Sequence, residues 1–468
     1  MSLKWKSFAL ISLYTLLVSL GCWGLCRSFS NPFPSQYEAP HLLTTATLIE
    51  NLPHTAFPTE VLTEIRTFHH LAARFVQFFG VSHDQEYGIR TYRLFSITLA
   101  VTFLLLIPAL GLRRRGGLFK TADAPFWMTA FIFLSPAFLQ FGSSFLPFTL
   151  HALLFLIILV VARAYVQWPG YFSAITFGIT VGITFIAESS TLWAILLFLP
   201  AICISVGWRR LLLYWHTGHV FSALASLLLL ILSAISLQFN SPIQFPQLIS
   251  LDECTLDRLL RYLLWFGLGG FGLLAWGVVT SWGIKKHECR WEKMILFLFP
   301  IYFVAAFCFQ KSILFSVPLI LLSAILAAFL LTAIPKIWIR ITLGGLTLLV
   351  LGFGMMQLSE QFQPDPSSEK TQVEMARELR TILKTASPSR RTAILTNNND
   401  AYAILAWKLR HYSLLPKSQF TFAEQIFIDT QHPAATFFPQ PLSPLIEVPP
   451  QTAFYLHRCP SCNPPITP

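Results

Sequence analysis

The chain alternates long apolar runs with short polar loops, a pattern typical of membrane helices. The hydrocarbon core of a bilayer is spanned by a helix of about 20 apolar residues. This length predicts eleven spans, at 7–26, 91–112, 125–141, 145–165, 171–187, 190–207, 218–237, 259–283, 294–309, 313–333 and 341–357. The pattern predicts an all-α polytopic membrane domain over residues 1–357.

Composition supports this fold class. Of 468 residues, 54% are hydrophobic and only 12% are charged, whereas a soluble domain carries about 25% charged residues. The mean hydropathy is +0.60. These values exclude a soluble enzyme, a disordered chain and a coiled coil. The basic residues that give the net charge of +11 lie between the apolar runs. The charge therefore indicates membrane topology and not a nucleic-acid partner.

Lysine and arginine are concentrated in alternate loops, and such loops face the cytoplasm. Among the short loops, one side holds Lys4, Lys6, Arg113, Arg114, Arg115, Lys120, Arg163, Arg209, Arg210, Lys285, Lys286, Arg290, Lys293, Lys336 and Arg340. The opposite side holds only Lys311 and Arg258. We therefore predict a multi-pass protein of the inner or plasma membrane, with a cytoplasmic N-terminus and an extracytoplasmic C-terminus.

Two large segments are predicted to lie outside the membrane. Loop 27–90 contains apolar residues at helical spacing over 42–50 and 61–79, which predicts two amphipathic helices in the interface plane. The tail, 358–468, is predicted as a second domain. Helices at 369–386 and 400–410 and strands at 391–396 and 452–458 indicate a small extracytoplasmic α/β fold.

Four residues are candidates for chemistry at the outer surface. Glu38 follows the first span closely, where a carboxylate is placed to act as a general base or to hold a cation on a phosphate. The alternative is a solvated loop carboxylate. Arg90, Arg93 and Lys311 are candidates for binding a phosphate; the alternative is that they only mark the interface.

Other metal-ligating residue types are less promising. His69 and His70 are adjacent, so they point to different helix faces and do not predict a joint metal site. Cys459 and Cys462 form a CxxC pair near the end of the tail. Zinc would require a second pair, so a local disulfide is the favoured prediction, since disulfides persist outside the cytoplasm.

Several short segments together resemble a known family. The run 37–46, Tyr-Glu-Ala-Pro-His-Leu-Leu-Thr-Thr-Ala, is followed by Phe68-His69-His70-Leu71 and by Phe78-Phe79-Gly80. Arg93-Leu94-Phe95-Ser96 opens the second span, and Ser135-Pro136 lies in the third. In this order the segments resemble the GT-C glycosyltransferases of the protein O-mannosyltransferase and lipid A aminoarabinose transferase type. The family usually has Asp where Tyr37 stands.

The resemblance implies an inverting glycosyltransferase whose active site faces outward. The donor would be a dolichyl- or undecaprenyl-phosphate sugar, and the acceptor an envelope lipid, glycan or protein. Glu38 would be the catalytic carboxylate, Arg90, Arg93 and Lys311 would bind the donor phosphate, and a divalent cation, Mg²⁺ or Mn²⁺, is the implied cofactor. Two alternatives stay open: a catalytically degenerate protein that only binds a lipid-linked glycan, and a transporter or flippase.

Overall fold

The computed structural model describes most of the predicted helices. The continuous described ranges are 38–50, 67–79, 88–111, 123–133, 142–168, 170–187, 268–281, 290–308, 313–362, 391–395, 413–414, 425–429 and 454–458, with scattered residues at 12–25, 135–138, 198–213, 224, 228 and 406–407.

Ten helices have continuous bounds in this part of the chain. They are α1 (Glu38–Glu50), α2 (Thr67–Phe79), α3 (Gly88–Gly111), α4 (Ala124–Phe133), α5 (Phe148–Gln167), α6 (Tyr171–Ala187), α7 (Leu268–Ser281), α8 (Arg290–Cys308), α9 (Ile313–Ala333) and α10 (Ile337–Phe362). Each helix from α3 to α10 falls on a predicted span. The total of eleven spans stays a prediction, since 218–237 and much of 190–207 lie outside the described residues.

Helix α1 begins earlier than expected. The apolar spacing predicted a helix over 42–50, but α1 starts at Glu38 and contains Pro40 in its first turn. Proline is tolerated there because the first N–H groups of a helix have no intrahelical acceptor. As a consequence Glu38 lies at the N-terminal end of a helix, where the dipole favours a negative charge.

The chain divides into two compact units. The first comprises Met1–Ser28, Ser96–Ser143 and Pro147–Glu360, and the second comprises Phe29–Phe95, Ser144–Leu146 and Gln361–Pro468.

Helix α9 is central to the first unit. It packs against α4, α5, α7 and α8 and is buried along most of its length. Nearby, Tyr302 on α8 contacts Phe155 on α5 and Phe198, with ring centroids 5.5 and 6.2 Å apart. Edge-on aromatic packing of this kind fills the space between helices where lipid and water are excluded.

Two glycines permit close helix contacts within this unit. A methyl group at Gly272 on α7 would lie 2.5 Å from Ser323 Oγ on α9. One at Gly344 on α10 would lie 2.4 Å from the Trp127 ring on α4. Small residues at helix interfaces let backbones approach closely, which is a main source of packing energy between membrane helices.

Polar contacts join helix ends within the first unit. The Arg163 guanidinium on α5 donates to the carbonyls of Ala109 and Leu110 at the end of α3, satisfying groups that the helix itself leaves unpaired. The Arg340 guanidinium on α10 donates to both carboxylate oxygens of Asp123 at 2.9 Å. Both contacts join helix ends that the charge alternation assigns to one side of the membrane; which side it is stays a prediction.

The outer surface of α6 is apolar. Phe172, Ile175, Ile179 and Ile183 recur at helical spacing and are between 39% and 85% exposed. A soluble protein rarely exposes such a stripe, whereas lipid covers it without cost. By length and composition, Ile89–Leu110 and Phe148–Gln167 are long and apolar enough to cross a membrane, considering the described residues alone.

The second unit contains α1, α2 and a four-stranded sheet. The strands are β1 (Arg391–Leu395), β2 (Ser413–Leu414), β3 (Gln425–Asp429) and β4 (Phe454–Arg458), in the order β2-β1-β3-β4. Strand β1 pairs in parallel with β2 and β3, and β3 pairs antiparallel with β4.

Strands β1 and β4 fall on the two strands predicted from sequence. Between the parallel strands β1 and β2, Ala406 and Trp407 are helical and fully buried, as a crossover connection requires. The predicted helix 369–386 lies outside the described residues, so the α/β assignment of the whole tail stays a prediction.

Candidate functional site

Glu38 is a buried carboxylate at the start of α1. Its exposed fraction is 1%, although it follows the first predicted span by only a short segment. Ala39, Leu42, Leu43 and Ala46 are fully buried on the same helix, and α1 packs against α2. The apolar face of α1 therefore holds Glu38 inside the second unit instead of in solvent, so the alternative of a solvated loop carboxylate is wrong.

Three hydrogen bonds hold the Glu38 carboxylate. Arg93 Nε donates to Oε1 at 3.0 Å and Arg93 Nη2 donates to Oε2 at 2.8 Å. The backbone N–H of Phe145 also donates to Oε1, at 2.7 Å. A two-point arginine contact fixes the orientation of the carboxylate plane as well as its charge. The buried ion pair costs both ions their hydration, which the Phe145 amide helps to offset.

Phe145, whose amide binds Glu38, belongs to a cluster of buried aromatic rings. The Phe145 ring lies 5.0 Å from the Phe68 ring and 5.2 Å from the Tyr92 ring, between centroids. Phe68 also contacts Phe95 at 5.5 Å. All four side chains are 6% exposed or less. Low-polarity surroundings strengthen the attraction between Glu38 and Arg93. The four rings come from α2, from α3 and from the segment just before α5.

A histidine pair lies on the same helices. His41 is three residues after Glu38 on α1, and its Nδ1 lies 3.0 Å from Nε2 of His69 on α2. His69 is fully buried and His41 is half-buried. His70 is exposed, which confirms that the two adjacent histidines occupy different faces of α2.

The predicted phosphate-binding residues have different surroundings. Arg93 is 4% exposed and paired with Glu38, whereas Arg90, one turn earlier on α3, is exposed. Lys311 and the predicted disulfide pair, Cys459 and Cys462, lie outside the described residues. The structure thus brings together Glu38 and Arg93, and it leaves Arg90 the more accessible of the two described cations.

The residues of this site do not fit a metal ion. In the part of the chain that the structure describes, no cluster of three or more His, Cys, Asp or Glu side chains is placed to hold one. Both Glu38 oxygens already accept hydrogen bonds from Arg93 or Phe145. The described residues therefore offer no ligand set for a metal ion at Glu38.

Sequence reasoning missed Phe145 and the partnership of His41. Phe145 is the first residue of the predicted span 145–165 but lies just before α5, and it contributes its backbone amide, which carries no sequence signal. His41 was noticed only as part of the segment that resembles the family motif. The spacing of Glu38 and His41, i and i+3, was the sequence signal that could have placed both side chains on one face of a helix.

Comparison with known proteins identifies the fold. No protein-family model matches the sequence, and no curated protein is significantly similar to it. Solved structures do match. ArnT from Cupriavidus metallidurans bound to undecaprenyl phosphate is similar over 97% of this chain and 98% of its own, with a TM-score of 0.65 and 10% identity. Its apo state gives a TM-score of 0.62 at 11% identity, over 96% and 98% of the two chains.

A second protein shares the architecture. The Archaeoglobus fulgidus oligosaccharyltransferase, tethered to an acceptor peptide containing the NVT sequon, matches 86% of this chain and 63% of its own. The TM-score is 0.53 and the identity 12%. Since both proteins are GT-C glycosyltransferases, and since one match covers nearly the entire chain, the protein has the multi-pass membrane fold of the GT-C glycosyltransferases.

Proposed function

We propose that the protein is a membrane glycosyltransferase that moves a sugar from a polyprenyl-phosphate donor to an acceptor in the cell envelope. The observation that carries this proposal is the fold similarity, over 97% of the chain, to ArnT bound to undecaprenyl phosphate. A buried, hydrogen-bonded carboxylate in the segment after the first predicted span supports it. The acceptor would be a lipid, glycan or protein on the outer face of the inner or plasma membrane.

The proposed reaction is an inverting transfer. The acceptor hydroxyl attacks the anomeric carbon, the bond from that carbon to the phosphate oxygen breaks, and the polyprenyl phosphate leaves with the electron pair. The acceptor proton passes to a base. Catalysis then requires a bound donor phosphate, a fixed attack geometry and a proton acceptor.

Glu38 is the essential carboxylate in this proposal. Its sequence-based role as general base stays a prediction, and its contacts favour a positioning role. Delivering a proton to Glu38 would displace a hydrogen bond from Arg93 or Phe145 and leave the Arg93 guanidinium buried without its counter-ion, which is costly.

The two described arginines have different roles in this proposal. We assign Arg93 to holding Glu38, because its guanidinium is buried and committed to that carboxylate. Arg90 is exposed one turn away, so it is the better candidate to meet the donor phosphate. Lys311 keeps its predicted role in phosphate binding.

One alternative has specific support. In a catalytically degenerate protein that only binds a lipid-linked glycan, the carboxylate would be structural. Tyr37 stands where the family usually has Asp, and the Glu38 oxygens are engaged by protein donors. This protein would bind the donor lipid without transferring its sugar.

A transfer assay separates the two functions. The full-length protein in lipid nanodiscs would be given radiolabelled undecaprenyl-phosphate-linked hexoses and pentoses, with an envelope lipid extract as acceptor. We expect wild-type transfer, loss of about 100-fold in Glu38→Gln, as when the geometry of a site is displaced, and near-normal activity in Glu50→Gln as the matched control on α1. Donor binding without transfer in the wild type would support the degenerate protein instead.

A further inference from the structure

We propose that the His41–His69 pair is the proton acceptor of the transfer reaction. The inference rests on the proposed function and names the base that it needs. It starts from an unusual contact: two imidazole nitrogens, from α1 and α2, face each other at 3.0 Å.

The ring geometry defines this contact as a hydrogen bond. The ring centroids are 5.3 Å apart, and the planes are inclined by only 19°. The centroid distance exceeds the nitrogen–nitrogen distance by about two ring radii, so the rings meet edge to edge, with Nδ1 of His41 and Nε2 of His69 directed at each other. A metal ion bound by both rings would require the two nitrogen lone pairs to point at the ion. A single proton shared by the two nitrogens requires this head-on arrangement.

A shared proton makes the pair a relay. If His41 donates from Nδ1, its lone pair lies on Nε2, and the outer N–H of His69 lies on Nδ1. A proton taken up by His41 Nε2 is balanced by transfer of the Nδ1 proton to His69 Nε2. The positive charge is then spread over two rings, and the pair accepts one proton as a unit. Imidazole is the side chain whose ordinary pKa suits this task near neutral pH.

The pair adjoins the candidate site. Phe68 contacts both imidazoles edge-on, at centroid distances of 6.2 Å to His41 and 5.5 Å to His69. The same ring contacts Phe145 at 5.0 Å, and the Phe145 amide binds Glu38. Phe68 therefore links the histidine pair to Phe145, the residue whose amide binds the carboxylate.

The charged groups around the pair fit this assignment. On the elements packed against it, the described ionisable groups are Glu38 and Glu50 on α1, His70 and Arg74 on α2, and Arg90 and Arg93 on α3. Arg93 is neutralised by Glu38, while His70, Arg74 and Arg90 are exposed. The pair therefore has no buried, uncompensated cation among these groups to oppose its protonation.

In the proposed step, the acceptor oxygen forms a bond to the anomeric carbon while its proton moves to the histidine pair. The carbon–oxygen bond to the phosphate breaks, and the phosphate takes the electron pair. Charge balances, because one proton is gained by the pair and one negative charge by the leaving phosphate. Neutral hydroxyl acceptors, including water, are the substrates that need such a base.

The test uses His41→Gln, His69→Gln and, as control, the exposed neighbour His70→Gln. Undecaprenyl-phosphate sugars are supplied with the envelope lipid extract as acceptor, and sugar transfer is followed from pH 5 to 9. We expect both pair variants to bind undecaprenyl phosphate like wild type and to lose about 100-fold or more in kcat, a usual value for removing a general base. Their rates should also lose the decline at acidic pH. Added imidazole should restore activity to His41→Gly.

Other outcomes are decisive. Sugar transfer by His41→Gln at the wild-type rate, with the wild-type pH profile, would overturn this inference and leave the proposed function standing. If the wild type binds the lipid but transfers no sugar to the envelope lipid extract, both fail together. Should His69→Gln not fold because its site is fully buried, the half-buried His41 variants and their imidazole rescue decide the question.

Discussion

Arg93 and Glu38, 55 positions apart in sequence, form a two-point ion pair in which each carboxylate oxygen accepts one guanidinium N–H, at 3.0 and 2.8 Å. Both side chains are 5% exposed or less. The pair connects the start of α1 to the first turn of α3, so these two helix ends are held together by charge as well as by packing.

A double-mutant cycle on Glu38 and Arg93 should show strong coupling. We expect Glu38→Gln and Arg93→Gln each to lower the free energy of unfolding by roughly 3–5 kcal/mol, because each leaves a buried partner uncompensated. The double variant should lose clearly less than the sum. Thermal unfolding of the purified protein in nanodiscs measures this; additive losses would show that the two side chains do not act as a pair.

Removing the Phe145 amide should weaken the hold on Glu38. Phe145→Pro lacks the backbone N–H that donates to Oε1 at 2.7 Å, and a lost bond to a charged group costs about 1.5–3 kcal/mol. Phe145→Leu, which keeps the amide, is the control for lost aromatic packing. We expect the proline variant to be less stable and less active in transfer than the leucine variant. Equal behaviour would exclude a role for the amide.

Arg90 should contribute to donor binding. Replacing this exposed side chain by Gln should weaken undecaprenyl phosphate binding by about tenfold, the equivalent of one charge-assisted hydrogen bond near 1.4 kcal/mol. Arg74→Gln, an exposed arginine on α2, is the matched control. Equal binding by the two variants would place the phosphate elsewhere.

Gly344 and Gly345 should respond oppositely to alanine. A methyl group at Gly344 would meet the Trp127 ring at 2.4 Å, whereas Gly345 has nothing within 4 Å of that position. Overpacking typically costs about 1–3 kcal/mol, while glycine to alanine at an open helical site is stabilising by up to about 1 kcal/mol. Melting temperatures of the two variants test the difference; similar values would mean that α4 and α10 do not approach this closely.

Gly272 offers the same test with a rescue. Gly272→Ala should destabilise through the contact with Ser323 on α9, at 2.5 Å to Oγ and 2.7 Å to Cβ. Gly277→Ala on the same helix has open space and is the control. Because the Ser323 side chain is the obstacle, Ser323→Gly should restore most of the stability. A rescue that fails would assign the loss to another contact, such as Phe299 at 3.0 Å.

The sequence by itself determined the class of the protein and the position of its helices. Apolar runs of about 20 residues located α3 to α10, because a helix in lipid must satisfy its own backbone and therefore leaves a continuous apolar signature. It also identified Glu38 and Arg93 as candidates, because Glu38 closely follows the first predicted span and Arg93 stands at the start of the second. Strands β1 and β4 were found as short apolar runs in a polar tail.

Only the tertiary structure decided what those residues contact. Glu38 was predicted as the catalytic carboxylate and Arg93 as a ligand of the donor phosphate, but their bidentate pairing depends on how α1 crosses α3, which periodicity does not encode. The third donor is the backbone amide of Phe145, and every residue except proline has one. His41 and His69 are 28 positions apart, and their head-on contact arises from the packing of α1 on α2. Long-range polar contacts depend on helix placement to within an ångström, whereas helix existence depends only on local hydrophobicity.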